Sequence, residues 1–432
     1  MHKESSENFF ALSRKLWQEE GPLRHKLVYA HWSAPEFFEA VTGALGMAIR
    51  AHASTRLLEQ RLRNIFGVDE IFLFNRGRTG LKVALRNFAL TRPDRNEVVF
   101  PSYICPAVYQ TIKESGLQPI PVDINTDLNI NVEDVERGVT SRTLAVIAAH
   151  MYGAPAAVDR LEQLCRNSGV FLVDDAAQVV GVELCGRALG TFGDCGILSF
   201  GQSKTVVAGG GGVLLLRNGS LRTGIQNDWK ALEPEPFKFS ELANLLVDII
   251  WQTHTKELAY YARKLMSEFG ALGSEKDVGP YALNDVRAAI ALHQFESVKA
   301  RVAGRTRVVG FYNKYLGSEP RVRLIQYAPD RYLRRVMIAV RDVRSVSPLR
   351  SALAARSVQT RLGYEPNFDN VGELPHFQSI KGRLLELPSH SKMREHQVKG
   401  ICALLTDALN EVGLHDSLEQ ANRKGSTFLQ VA

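Results

Sequence analysis

The chain predicts an α/β protein, with a large domain on a central mostly parallel sheet and a smaller α+β C-terminal domain. Three observations predict it. Short apolar runs alternate with stretches of helical periodicity through the first half of the chain. Several runs end in polar or glycine-rich turns, which is where open α/β sheets bind their ligands. The length of 432 residues exceeds what one ordinary core holds, so two domains are expected.

The elements follow in order. Residues 1–65 read as an N-terminal helical arm, with Phe37, Phe38, Val41, Leu45 and Ile49 recurring near a 3.6 period. The arm packs either on the large domain or on a partner subunit. The large domain takes residues 66–270, and a helix with the small domain takes 271–432. Ile71–Phe74 is a strand, followed by the turn NRGRTG and a helix stripe of Leu81, Ala84, Leu85, Phe88 and Ala89. Strand, glycine turn and helix start expose backbone N–H groups that suit an anion, although the same pattern also makes an ordinary helix start. Val98–Phe100, Gln118–Ile124 and Thr143–His150 are further strands. A helix from about Ala156 to Ser168 leads to the run Val170–Val173, a parallel βαβ pattern. The segment Glu241–Trp251 is apolar but, at about eleven residues, too short to span a bilayer. It reads as a packed helix or as an amphipathic helix facing a membrane or a second subunit. Asn284–Phe295 is a helix, Val336–Val340 a strand, and Pro348–Arg356 a helix with proline in its first turn.

The chemistry concentrates between Val170 and Leu216. Asp174 and Asp175 close the Val170–Val173 run, and Gln178 follows. A second run, Gly196–Phe200, contains Ser199 and leads to Lys204 and then to Gly209–Gly212. One lysine between a buried strand and a glycine run is where a reactive amine would be held. Taken singly, the lysine reads as solvated, the aspartates as a turn or cap, and the glycines as a tight turn. Adjacent strand residues point to opposite faces, so only one of the two aspartates faces a ligand.

Composition bounds the rest. Apolar residues make up 45% and charged residues 23%, as in ordinary globular proteins. The five cysteines are odd in number, scattered and without zinc spacing, which fits a reduced, cytoplasmic protein without a metal. The start, MHKESSENFF, lacks the apolar core of a signal peptide. A net charge of +7 favours anionic partners such as nucleotide diphosphates and permits weak contact with a membrane surface. The basic residues form no run dense enough for nucleic acid. No transmembrane segment is expected.

Asp175, Gln178, the run G-R-x-x-G-x-x-G-D at Gly186–Asp194, S-F-x-x-x-K at Ser199–Lys204 and the Gly211–Gly212 turn together resemble the DegT/StrS-type sugar aminotransferases that depend on pyridoxal 5'-phosphate. The resemblance runs from about Arg76 to about Leu405. It implies an aspartate-aminotransferase-like fold (fold type I), a Schiff base between cofactor and Lys204, and a homodimer with the site at its interface. It implies that Asp175 pairs with the pyridine nitrogen and that Gln178 faces the ring or its phenolic oxygen. Gly77, Arg78, Thr79 and Ser199 then hold the phosphate, Arg78 standing where the family has Ser or Thr. Either Arg78 pairs with the phosphate, or it points to solvent while backbone amides bind. Cys105 stands where the family places the aromatic that stacks on the ring, so either Cys105 or Tyr103 covers it. Pro280 stands near the position from which the family often supplies an asparagine to the neighbouring subunit. His150 matches the family's H-x-Y/F-G and reads as structural. The implied reaction moves an amino group from an amino acid, glutamate or glutamine, to a nucleotide-linked keto-sugar in polysaccharide or amino-sugar biosynthesis. A non-sugar ketone, a dehydration, or cofactor binding without turnover are the rivals. The retained Lys204 speaks against dehydration, because that branch replaces the lysine. On this reading Asp175→Asn binds the cofactor but loses most turnover, while Asp174→Asn is far milder.

Overall fold

The computed structural model describes residues 34–49, 53–201, 203–236, 279–325, 331–365, 368 and 374–413. The Glu241–Trp251 run lies outside them. Helices α1 (Ala34–Ile49) and α2 (Ala53–Phe66) come first. Strands and helices then alternate: β1 (Glu70–Phe74), α3 (Gly77–Thr91), β2 (Glu97–Pro101), α4 (Pro106–Glu114), β3 (Gln118–Val122), α5 (Val132–Gly138), β4 (Thr143–Ala149), α6 (Val158–Ser168) and β5 (Phe171–Asp175). A short ribbon, β6 (Glu183–Leu184) with β7 (Arg187–Ala188), precedes β8 (Cys195–Ser199), β9 (Gly212–Leu216) and α7 (Arg222–Lys230). Helices α8 (Asp285–Glu296) and α9 (Val298–Leu316) lead to the C-terminal unit. That unit holds β10 (Val322–Leu324), β11 (Val336–Val340), α10 (Val346–Ala355), β12 (Arg361–Leu362), α11 (Pro375–Ile380), β13 (Leu384–Leu387) and α12 (Glu395–Glu411).

The seven-stranded sheet has the order β1-β9-β8-β5-β4-β2-β3. Only β9 pairs antiparallel, to β1 on one side and β8 on the other; the remaining pairs are parallel. The sheet is covered on both faces, which is why β4 reads TLAVIAA and is buried along its whole length. Alternation sorts side chains between the two layers. Ile71 and Leu73 enter one core, Phe72 and Phe74 the other. Leu81, Ala84, Leu85 and Phe88 of α3 cover the second face, and the Phe88 ring stacks on Phe171 at 4.3 Å between centroids. Each such ring contributes about 2–3 kcal/mol by burial.

On the first face, α5, α6 and α8 are joined by the helices read as an arm. Ala40, Leu58 and Leu62 lie in the same core as Val286 and Ile290 of α8. The Thr55 amide donates to Asp285 Oδ1 at 2.9 Å. Of the two placements open to these helices, packing on the large unit is the one observed within this chain.

In the C-terminal unit an antiparallel sheet, β10-β11-β13-β12, packs under α9, α10 and α12. A further apolar cluster joins the two units, with Tyr103, Ile124, Leu128, Met151 and Tyr152 from one and Met337, Phe377 and Leu384 from the other. β3 ends at Val122, short of Ile124, because Asp123 turns across this junction. Its two carboxylate oxygens accept from the His376 and Phe377 amides, both at 2.9 Å, at the start of α11. α10 begins at Val346, so Pro348 falls in its first turn, where no intrahelical donor is lost. No helix among the described residues is long and apolar enough to cross a membrane.

Candidate active site

Strand polarity assembles the site. β1, β8, β5, β4 and β2 all point one way, so their carboxyl ends share one edge of the sheet. β9 runs backwards and begins at that same edge. Gly77–Thr79, Ser199–Lys204, Asp175–Gln178, His150 and Cys105 therefore converge there from distant parts of the chain. At Gly212 a Cβ would lie 2.2 Å from the Gly77 nitrogen, so only glycine lets the start of β9 close on the start of α3.

Lys204 is half-buried in the loop between β8 and β9. Burial pushes its amine down to about 8; Arg334 and Arg335 push the same way, while Asp175 and Cys105 pull against them. Burial also raises the Asp175 carboxyl, opposed mainly by the Lys204 charge. Asp175 Oδ1 accepts from the Ala177 amide at 3.1 Å. A Cβ on Gly201 would stand 3.9 Å from both Ser199 Oγ and Lys204 Cγ, so these two side chains flank the same point of the turn. Cys105, at the N-terminus of α4, is half-buried.

Asp174 faces the other way and is fully buried. It accepts from His150 Nε2 at 2.6 Å and from the Gly190 and Phe192 amides at 2.6 and 3.0 Å. The Ala156 amide donates to His150 Nδ1 at 2.9 Å, which fixes the tautomer with the proton on Nε2. Asp174 therefore braces the scaffold: an amide there could keep its oxygen for the two backbone N–H groups only by turning its own donors toward the His150 Nε2–H. Much of the glycine-rich motif is scaffold too. Arg187 forms a bidentate pair with Glu162 at 2.9 and 3.0 Å, and Asp194 Oδ2 accepts from the Leu172 amide at 2.8 Å.

The phosphate-turn candidates divide. The Thr79 hydroxyl donates to Asn75 Oδ1 at 2.9 Å and its amide to the Arg76 carbonyl at 3.1 Å, so both of its protons are committed to the turn. The Ser199 hydroxyl has no hydrogen-bond partner among the described residues. The Arg78 side chain is exposed, and its charge acts on Glu114 at the far end of α4. This leaves the first-turn backbone of α3, with Ser199, as the donors best placed for an anion. Gly279, before the exposed Pro280, docks on this turn by accepting from Asn75 Nδ2 at 2.9 Å. Tyr103, the alternative cover for a ring, is committed elsewhere. It is 2% exposed, and its hydroxyl meets the Tyr152 hydroxyl at 2.6 Å and accepts from the Tyr364 amide at 2.8 Å.

A model of the DegT/DnrJ/EryC1/StrS aminotransferase family matches residues 34–406. The chain belongs to that family. A Methanocaldococcus jannaschii protein, MJ1066, is 27% identical to this aminotransferase-family chain over 60% of its length, and the match spans 61% of that protein. The dTDP-4-dehydro-2,3,6-trideoxy-D-glucose 4-aminotransferase of Saccharopolyspora spinosa is 27% identical over 80% of this chain and 87% of its own. Among solved structures, the Helicobacter pylori aminotransferase PseC, involved in pseudoaminic acid biosynthesis, superposes with a TM-score of 0.73 at 17% identity, covering 90% of this chain and 99% of its own. The expected fold type I architecture is thereby the one found.

DegT/DnrJ/EryC1/StrS aminotransferases use pyridoxal 5'-phosphate, and this member's residues fit it. The depressed amine of Lys204 suits a carbonyl, Asp175 beside it suits a protonated ring nitrogen, and the glycine-lined turn suits a phosphate. Gln178 was legible as a neighbour of the site, but its partner was not. Arg334 donates to Gln178 Oε1 from Nε at 3.0 Å and from Nη2 at 2.7 Å. In the sequence Arg334 and Arg335 are merely two charges ahead of a strand, and no local pattern ties them to residues far upstream.

Proposed function

We propose that this DegT/DnrJ/EryC1/StrS family member transfers the amino group of an amino acid, glutamate or glutamine, to a nucleotide-linked keto-sugar, as a cytoplasmic homodimer. The observation that carries it is the depressed amine of Lys204 beside Asp175 at the carboxyl edge of the sheet. Pyridoxal phosphate, when bound, supplies an electron sink for the carbanion formed at the donor's α-carbon.

The chain's own residues do the rest. Lys204 Nζ would hold the cofactor through its aldehyde group, and the free amine would take the proton from the donor α-carbon as general base and return it as acid. With its pKa near 8, a useful fraction of the amine is neutral at physiological pH. Asp175 keeps a proton on the ring nitrogen. Ser199 and the first-turn backbone of α3, around Gly77 and Arg78, bind phosphate, with Thr79 supporting that turn. Gln178, held by Arg334 and Met151, would offer its remaining amide N–H to the cofactor, and Cys105 would take part in holding the ring.

The test is direct. Protein reconstituted with pyridoxal phosphate is given glutamate and a panel of dTDP-, GDP- and UDP-linked keto-sugars, and the sugar nucleotides are analysed by mass spectrometry. Conversion of one of them to an amino sugar is the expected result. Amination of a non-sugar ketone alone would overturn the substrate class, and loss of water without amine transfer would replace amination by dehydration. Cofactor binding with no conversion would leave a binding protein.

A further inference from the structure

Every residue next to Lys204 in the chain is held by a side chain from one distant segment. Tyr332, Leu333, Arg334 and Arg335 lead into β11 and are all at least nine-tenths buried. Arg334 Nη1 donates to the Ser203 carbonyl at 2.6 Å. The Tyr332 hydroxyl meets Thr205 Oγ1 at 2.7 Å. Arg335 Nη2 lies 3.4 Å from Ser203 Oγ, and Arg335 is itself paired with Glu386 at 2.9 Å. Arg301 of α9 adds a bond from Nη1 to the Thr205 carbonyl at 2.9 Å. The segment is pinned from below, because the Arg334 amide donates to the Tyr152 carbonyl at 2.7 Å. A Cβ on Gly153 would stand 2.6 Å from the Arg334 nitrogen, so the approach depends on that glycine.

We propose that this segment is a clamp, with Arg334 as the positioning residue that locks Gln178 and the peptide preceding Lys204 into one arrangement. Two N–H groups of Arg334 occupy the carbonyl oxygen of Gln178 and Nε2 donates to Met151 Sδ at 3.5 Å, so the amide is held at both ends and keeps one Nε2 proton for the pocket. The third donor fixes the loop that carries the amine. Among the described residues no carboxylate lies within ion-pair distance of Arg334. An unpaired buried guanidinium is costly, and its three-point grip on the site is what the fold gains from it. Lysine, with one compact ammonium, cannot reproduce that fork.

The clamp also sets the charge around the amine. The groups facing Lys204 are Asp175 from β5, Cys105 ahead of α4, and Arg334 and Arg335 ahead of β11. Those facing Arg334 are Arg335, Tyr364, Glu386 and Arg305. The proposal rests on Lys204 being the reactive amine of the aminotransferase reading.

The experiment labels the protein without cofactor, using acetic anhydride across pH 6.5 to 11, with Lys204 read by peptide mapping. It needs no substrate or turnover, so its failure would leave the amine-transfer reading to be judged by the keto-sugar assay. The wild-type midpoint is expected near 8. Arg334→Met should move it up by about one unit, roughly a tenfold loss of labelling at neutral pH. Arg334→Lys should hold the midpoint while the plateau labelling rate rises several-fold, because the charge remains and the fork is gone. A midpoint unmoved in Arg334→Met overturns the clamp. Should that variant fail to fold, Arg334→Lys and Tyr332→Phe decide: faster plateau labelling supports the clamp, and wild-type rates in both overturn it.

Discussion

An ammonium whose pKa is held near 8 destabilises the fold around it. In the unfolded chain Lys204 has its ordinary value of 10.5, and in the folded chain about 8. Below pH 8 it is charged in both states and the cost is complete. Between about 8 and 10.5 the unfolded state binds more protons, so the cost fades as pH rises. Lys204→Met should therefore stabilise the cofactor-free protein at pH 7 by about 1–3 kcal/mol, allowing for partial exposure, and the gap should narrow by pH 10. Urea melts of both proteins at the two pH values test this; a constant gap would mean that the amine is not desolvated. The two aspartates make the complementary pair. Asp175→Asn should keep its fold and its cofactor and lose turnover. Asp174→Asn should lose about 2–4 kcal/mol of stability, since its carboxylate holds a buried histidine and two amides. Equal melting points for the two variants would reverse the assignment. Strand alternation made it legible that the two face apart. The partners of Asp174 were not legible, because they come from turns with no apolar pattern.

Among the elements, the start of β9 and the start of α3 meet backbone to backbone. Gly212→Ala would place a methyl 2.2 Å from the Gly77 nitrogen, a clash with backbone atoms that only a backbone shift relieves. The expected loss is about 3 kcal/mol or more, seen as a lower denaturation midpoint, and loss of phosphate binding should accompany it. A midpoint close to that of the wild type would show that the turn is looser than drawn. The glycines announced this turn in the sequence, since Gly211–Gly212 and NRGRTG are plain breaker signals. What the turn does with its polar atoms was hidden. Thr79 looks like a phosphate ligand from its spacing, yet its protons go to Asn75 and Arg76. Spacing identifies a turn and leaves open which atoms the turn itself consumes.

For the molecule as a whole, length and periodicity announced two units, and both are present with the expected sheets. The join between them could not be read. It depends on Arg334 reaching Gln178 across 156 residues, and on an apolar cluster drawn from both units. Pairings of that range leave no mark on local periodicity. Because the shared cluster and the clamp bury side chains of both units together, calorimetry should record one cooperative transition. Two resolved transitions would show that the units melt independently and that the clamp is weak. Asp123→Ala, which removes the cap on α11 at this junction, should cost about 1–2 kcal/mol without splitting the transition.

The reversed strand has a consequence for how such a protein can vary over generations. Because β8 and β9 are antiparallel neighbours, Lys204 sits on the loop of a hairpin, whereas most of the site's other segments follow strands joined by helical crossovers. A hairpin loop can gain or lose residues without disturbing the order or register of the sheet, and doubling its length adds only about 0.6 kcal/mol of closure entropy. In this hairpin the clamp and the buried run Thr205–Ala208 fix the amine itself, so length can change only beyond them, at the exposed turn around Gly209, where nothing lies within 4 Å of an added Cβ.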